Sequence, residues 1–179
     1  MTKLYHYIAK GNSALREGIL SFARNASADL SYYYKRSGET THTGIVNWME
    51  SCFTGRSRAV RGFSEPIRRT EKSMNMFRPF IEDSDLFSID ADELQKDGLI
   101  EAVYVSPALR PDLNDLPQNV DETLVKLGGV NEIDASPVDW SLCDEKLGLR
   151  FSVVPYYLIV VKNGVIPPKY ITKETPETM

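Results

Sequence analysis

A long apolar run in the last third of the chain constrains the fold more than any other segment. Residues 149–161, LRFSVVPYYLIVV, are almost continuously apolar and rich in β-branched and aromatic side chains, as is typical of a buried strand. Lys162, Asn163 and Gly164 follow and predict a two-residue hairpin turn into a second strand within VIPPKYIT. Pro155 cannot donate a ladder hydrogen bond, so we expect it at an edge or a bulge. This region therefore predicts an antiparallel sheet.

Other predicted strands and helices alternate along the chain without a regular β-α-β rhythm. The patterns predict strands over 3–9, 57–63 and 101–106, helices over 13–24, 44–53, 71–80 and 88–99, a short helix within 121–129, and either a strand or a helical turn over 30–35. This mixture favours an α+β fold, with a largely antiparallel mixed sheet and short helices, over a doubly wound fold.

The size and composition fit one domain. A chain of 179 residues with 42% hydrophobic side chains can close one core, which we place over residues 1–172. Residues 107–145 are rich in Pro, Asp and Asn and are predicted to form a long irregular acidic insertion. Residues 173–179 are predicted to be a flexible tail.

Targeting signals are sparse. No segment approaches the roughly 18 apolar residues that a membrane span needs, and the first residues carry no apolar leader. Cys52 and Cys143 are too few and too far apart for a disulfide framework. We therefore expect no membrane partner, reduced thiols, and a location in the cytoplasm or in a target cell reached by a specialised delivery route.

Charge is distributed unevenly along the chain. Residues 1–81 contain 13 Lys and Arg against 6 Asp and Glu, residues 82–145 contain 3 against 17, and residues 146–179 contain 5 against 2. In one interpretation opposite charges face one another or lie in solvent. In the other, a basic cluster gathers on one surface and binds phosphate groups of a nucleotide or nucleic acid, or an acidic protein. The cluster comprises Arg56, Arg58, Arg61, Arg68, Arg69, Lys72 and Arg78.

Several common chemistries lack their sequence signals. The absence of GxGxxG and of the P-loop pattern disfavours Rossmann and P-loop nucleotide binding. With His6 and His42 as the two histidines, we exclude a His-rich metal site, and the acidic segment 83–93 lacks the DxDxDG spacing of a calcium loop. Cys52 is predicted on the apolar face of a helix, and Cys143 is predicted to be more exposed but flanked by acids that raise a thiol pKa.

The first twenty residues carry the most specific pattern in the chain. Leu-Tyr-His-Tyr at 4–7 is followed by a polar break and by Ala-Leu-Arg-Glu-Gly-Ile-Leu at 14–20. This order resembles the opening of ADP-ribosyltransferase-like domains, in which a first-strand histidine holds the adenosine ribose of NAD. The resemblance implies metal-free transfer of ADP-ribose from NAD to a macromolecular acceptor, protein or nucleic acid, by a bacterial or phage toxin or effector.

The resemblance also implies NAD-binding roles for individual residues. His6 matches the ribose-binding position, with Tyr7 beside it, and Ile8 stands where the family usually has Ser or Thr. The run Tyr32, Tyr33 and Tyr34 offers an aromatic ring for the nicotinamide face, and we take Tyr33 as the candidate. Arg58 or Arg61 would bind the pyrophosphate.

A catalytic glutamate is the last implied part of the site. In the family this carboxylate stabilises the positive charge that develops on the ribose in the transition state. Glu65, in the sequence GFSEP beside Ser64 and the basic cluster, is the preferred candidate, and Glu101, at the start of EAVYVS, is the second.

Two other classes of function stay open at this point. One is a non-enzymatic interaction protein whose separate acidic and basic surfaces bind a protein or nucleic-acid partner, with His6 and the tyrosines merely packed. The other is a hydrolase or transferase of a different type that uses Glu and Tyr side chains.

Overall fold

Antiparallel sheets form from strands that lie far apart in the chain. The computed structural model describes residues 1–106, 124–143 and 154–175. The strands are β1 (Lys3–Ala9), β2 (Ile19–Leu20), β3 (Ala59–Gly62), β4 (Ser84–Asp90), β5 (Ile100–Ser106), β6 (Val125–Leu127), β7 (Tyr156–Val161), β8 (Val165–Ile166) and β9 (Ile171–Glu174). The α-helices are α1 (Ala14–Glu17), α2 (Ser31–Ser37), α3 (His42–Cys52), α4 (Glu71–Glu82) and α5 (Ala91–Lys96).

The described strands form three sheets with the orders β1-β4-β9, β2-β8 and β3-β7-β5-β6. Every strand pair in them is antiparallel. The α+β prediction with a largely antiparallel sheet is therefore confirmed. In the described part of the chain, no helix is both long enough and apolar enough to cross a bilayer.

Strand β7 lies at the centre of the four-stranded sheet, between β3 and β5. All six of its residues, YYLIVV, are buried. A strand covered on both faces carries apolar side chains at every position, which explains the uninterrupted apolar run in the sequence. Pro155 directly precedes β7 and so takes no position within this central strand.

One short contact joins the two larger sheets. Tyr5 of β1 and Phe63, which follows β3, exchange both backbone hydrogen bonds, at 2.8 and 2.9 Å. The main core lies against both sheets, because it combines Leu4 and Phe87 of one sheet with Val103 and Ile159 of the other. A second cluster packs α4 against residues 138–143 around Phe77 and Trp140.

The prediction of a helix over 13–24 is wrong, because the observed helix α1 ends at Glu17. Gly18 takes φ +87° and terminates the helix, and the chain then continues as the two-residue strand β2 and a single 3₁₀ turn, Phe22–Arg24. A Cβ at position 18 would collide with the backbone carbonyl of Ile166 on the neighbouring strand β8. Glycine therefore ends this helix for both conformational and steric reasons.

The middle helices also differ from prediction at their boundaries. The predicted helix over 88–99 is shorter, because Ser88 and Ile89 belong to β4 and α5 begins only after Asp90, whose side chain caps it. Helix α4 continues to Glu82 past position 79, where a stop at proline is expected. Burial of Phe77 and Ile81 stabilises α4 on both sides of the proline, which outweighs one lost backbone hydrogen bond. Residues 31–37 are helical, which resolves the strand-or-turn alternative at 30–35.

Two predictions in the last third need correction. Residues 125–127 of the predicted helix 121–129 form β6, an edge strand paired with β5. Asn163 and Gly164 make the predicted turn with φ +63° and +70°, but the turn joins two different sheets, since β8 pairs with β2 rather than with β7. Residues 107–123, 144–153 and 176–179 lie outside the described residues, and with them most of the predicted acidic insertion and the tail.

Candidate functional site

A cavity of about 460 Å³ opens beside the first strand. Its walls come from β1, from β2 and the segment that follows it, from α2, from β3 and the turn before it, and from β7. The lining residues are His6, Leu20, Ser21, Phe22, Asn25, Ala28, Tyr33, Arg56, Ala59, Val60, Arg61 and Leu158. Its volume falls within the range of small-molecule and cofactor sites.

His6 of β1 lines the cavity and is fixed by a hydrogen bond to β3. Its Nδ1 lies 2.6 Å from the carbonyl oxygen of Arg61, so Nδ1–H donates and the ring is held in one tautomer. Burial lowers the pKa of His6 to about 4, and the positive charge of Arg61 acts in the same direction. The hydrogen bond to the Arg61 carbonyl oxygen raises this pKa but does not outweigh burial. The ring is therefore neutral at pH 7, and its Nε2 is a hydrogen-bond acceptor with no partner among the described residues.

The aromatic rings of Phe22 and Tyr33 form another part of the cavity wall. Tyr33 packs edge-on against Phe22, with ring centroids 4.8 Å apart. His42 stacks on Phe22 with ring centroids 4.7 Å apart, and its Nε2 donates to the Phe22 carbonyl oxygen at 2.7 Å. This stack orients Phe22 and Tyr33 before any ligand arrives, so His42 supports the cavity wall.

Two arginines line the cavity from the side of β3. Arg56 is 6% exposed, and the guanidinium of Arg61 lies 4.5 Å from the ring centre of Tyr156. The turn that carries Arg56 is held by Glu50, whose carboxylate accepts hydrogen bonds from the backbone N–H groups of Gly55 and Ser57, both at 2.9 Å. Burial raises the pKa of Glu50, but hydrogen bonds from Ser57 and Gly55 outweigh it and hold this pKa below its ordinary value.

The two predicted catalytic glutamates lie outside the lining of the cavity. Glu65 accepts hydrogen bonds from Trp140 Nε1 at 2.6 Å and from the Val138 N–H at 3.2 Å, within the second apolar cluster. Glu101 forms an exposed ion pair with Arg58 at 2.6 Å. Among the described residues, no carboxylate lines the cavity.

Three predicted binding residues also take other places. Tyr7 packs against the second cluster, and its hydroxyl accepts a hydrogen bond from the Ile67 N–H at 2.9 Å. Arg58 forms an ion pair with Glu101. Ser64 is half-buried and lies outside the cavity lining. Two residues of the basic cluster have partners outside the cavity lining, since Arg78 pairs with Glu82 and Lys72 donates to the Ser141 carbonyl oxygen.

The cysteines and acidic residues provide no alternative site in the described part of the chain. Cys143 is buried rather than exposed, and burial raises its pKa to about 11, which makes it a poor nucleophile. No group of three or more His, Cys, Asp or Glu side chains in the described ranges has the arrangement of a metal site.

Several residues of the cavity wall carry no signal of their own in the sequence. Phe22, Asn25 and Ala28 line the cavity because α1 ends at Glu17, within the segment that the sequence pattern predicts to be helical up to residue 24. Arg56 was in the basic cluster but had no individual signal. His6, Tyr33 and Arg61 are the sequence candidates that the fold brings together around one cavity.

Comparison of the chain with protein-family profiles, with curated proteins and with solved structures finds no match.

Proposed function

We propose that this protein transfers ADP-ribose from NAD to a macromolecular acceptor, with NAD bound in the cavity beside His6. The observation that carries the proposal is the convergence of a neutral histidine, a tyrosine and two arginines on one cavity of cofactor size. The resemblance of residues 4–20 to the opening of ADP-ribosyltransferase-like domains supports the same ligand.

The lining residues match the chemical parts of NAD. The Nε2 of His6 accepts a hydrogen bond from a ribose hydroxyl, because its Nδ1 proton is already bound to Arg61 O. Arg56 and Arg61 place positive charge where a diphosphate needs it. Tyr33 offers an aromatic wall to the nicotinamide ring, and its packing on Phe22 fixes the ring in advance.

The transfer breaks one bond and forms another. The bond between the ribose C1′ and the nicotinamide nitrogen breaks, and its electron pair leaves with neutral nicotinamide. An acceptor N–H or O–H then bonds to C1′ through its lone pair and releases its proton to solvent. Positive charge develops on the ribose between these events, and a carboxylate is the group that would stabilise it.

Glu65 and Glu101 are the candidates for this carboxylate, and their positions make a sharp test. Because neither lines the cavity, we expect Glu65→Gln and Glu101→Gln to bind NAD as the wild type does. Loss of nicotinamide release in one variant, with NAD binding retained, identifies the catalytic glutamate. If both variants release nicotinamide as fast as the wild type, neither glutamate is catalytic.

A second candidate function is NAD binding without turnover. It is favoured by the absence of a carboxylate among the described lining residues. A protein of this kind is stabilised by NAD but releases no nicotinamide. Measuring both quantities on the same sample therefore separates the two candidates.

The experiment combines thermal unfolding with a nicotinamide assay. We expect roughly 1 mM NAD to raise the midpoint of unfolding, since a ligand bound by the folded state alone stabilises it. His6→Asn is the informative variant, because the asparagine N–H can still donate to Arg61 O while the Nε2 acceptor is lost. We expect this variant to fold and to bind NAD about tenfold more weakly.

The matched control is Lys96→Ala, an exposed charge on α5 that lies outside the cavity lining. We expect it to bind NAD with wild-type affinity. The absence of both a thermal shift and nicotinamide release in the wild-type protein would refute NAD as the ligand.

A further inference from the structure

The segments that frame the cavity are strongly basic. Residues 19–37 and 56–61 contain six Lys or Arg and one acidic residue, Asp29, although the whole chain has a net charge of −4. Arg24 and Lys35 are exposed on the segments that carry the cavity wall. The Asp29 carboxylate is hydrogen-bonded at the start of α2, where it accepts from the N–H and the hydroxyl of Ser31 at 2.9 and 2.8 Å. Arg56 is 6% exposed and Arg58 is paired with Glu101. The exposed positive charge of these segments therefore comes from Arg24 and Lys35, which we call the basic surface beside the cavity.

Helix α2 adds an exposed aromatic ring to this surface. Tyr33 lines the cavity, whereas the next residue, Tyr34, is 51% exposed and has Lys35 beside it. Tyrosine combined with basic side chains is the combination that binds single-stranded nucleic acid, because bases stack on the ring and phosphates approach the cations.

We propose that the acceptor is a single-stranded nucleic acid bound across α2, with a base stacked on Tyr34 and phosphates against Arg24 and Lys35. The identity of the acceptor rests on the proposed function, but binding to this surface does not. A base that reacts inside the cavity must leave its stack, which a single strand allows at lower cost than a duplex.

The reaction with this acceptor has the same two steps as the proposed transfer of ADP-ribose, namely loss of nicotinamide and bonding of the acceptor to C1′. The C1′–nicotinamide bond breaks, a ring or exocyclic nitrogen or a hydroxyl of the nucleic acid bonds to C1′, and one proton passes from that group to solvent. No oxidant or reductant is required.

The test measures binding of fluorescently labelled single-stranded DNA and RNA of mixed sequence, in the absence of NAD. We expect Tyr34→Ala to weaken binding at least about fivefold, the effect of one lost stacking contact. Tyr34→Phe keeps the ring and is expected to bind as the wild type does. Arg24→Ala and Lys35→Ala are expected to weaken binding and reduce its salt dependence between roughly 50 and 200 mM salt.

Lys96→Ala removes the same charge on α5 and is the matched control. Wild-type binding by this variant, together with losses in Tyr34→Ala and Arg24→Ala, supports the proposal. No measurable binding by the wild type, or equal losses in Lys96→Ala and Lys35→Ala, overturns it.

A transfer assay with labelled NAD tests the acceptor itself. Label on the oligonucleotide supports the proposal, and label on proteins of a nuclease-treated extract with none on the oligonucleotide overturns it. The two proposals can fail separately. Oligonucleotide binding without any NAD binding refutes the proposed function, whereas NAD consumption without oligonucleotide binding refutes only the nucleic-acid acceptor.

Discussion

His6 is held neutral by the fold, which makes protein stability depend on pH. The pKa of His6 falls from 6.5 to about 4 because the ring is buried and lies beside Arg61. Between these two values the unfolded chain binds a proton that the folded protein does not, so stability is complete above about pH 6.5 and falls as the pH falls towards 4. We expect the free energy of unfolding to fall by about 2 kcal/mol over this range. This is less than the shift in pKa alone would give, because the ring is partly exposed.

Urea unfolding at several pH values measures this effect, with His6→Asn as the reference. The asparagine has no titrating group, so its stability is expected to change less between pH 6.5 and 4 than that of the wild type. Carboxylates with lowered pKa values, such as Glu50, act at lower pH and are common to both proteins. Identical pH profiles would contradict a His6 ring that the fold keeps neutral.

Residues of the site differ in how far the sequence could predict them. His6, Tyr33 and Arg61 belong to local patterns, namely a first strand, a tyrosine run and a basic segment, and all three line the cavity. The environment of Glu65 depends on Trp140, which lies 75 positions later and has no sequence pattern that links the two. A carboxylate can be placed in a site from sequence only when its long-range partners are known.

Gly18 decides how the first helix ends and so where the cavity wall begins. Alanine at this position must take φ +87°, and its Cβ would collide with the Ile166 carbonyl group on β8. We expect Gly18→Ala to lower the free energy of unfolding by more than about 2 kcal/mol and to weaken ligand binding, since the turn Phe22–Arg24 would shift.

Gly11→Ala is the matched control for this prediction. Gly11 has φ +84°, but a Cβ added there would meet no atom within 4 Å, so its substitution carries the conformational cost without the collision. Urea unfolding of both variants gives the difference. Equal destabilisation would show that contact with β8 has no part in ending the helix.

The elements that sequence predicted best are those whose burial is uniform or strictly amphipathic. The run at 156–161 is apolar at every position because it lies at the centre of a sheet, and α3 has the apolar spacing that the sequence showed. Errors arose where tertiary pairing decided the outcome. Strand β6 forms against β5, and β8 pairs with β2 of the first twenty residues, so neither pairing is visible in local sequence.

At the scale of the whole molecule, one core joins both larger sheets. Leu4 and Phe87 on one sheet pack with Val103 and Ile159 on the other, and the Tyr5–Phe63 backbone pair connects them. We therefore expect one cooperative unfolding transition. Far-ultraviolet circular dichroism, which reports on all the elements, and the fluorescence of Trp48 and Trp140 should give the same midpoint. Separate midpoints would show that the sheets unfold independently.

The central position of β7 has a consequence for synthesis on the ribosome. Strands β3 and β5 are translated before β7. Each of them pairs with β7, and they do not pair with each other. Until residues 156–161 have emerged, both strands expose unpaired edges that can pair with other chains. A nascent chain halted before this point is therefore expected to aggregate more readily than the complete chain.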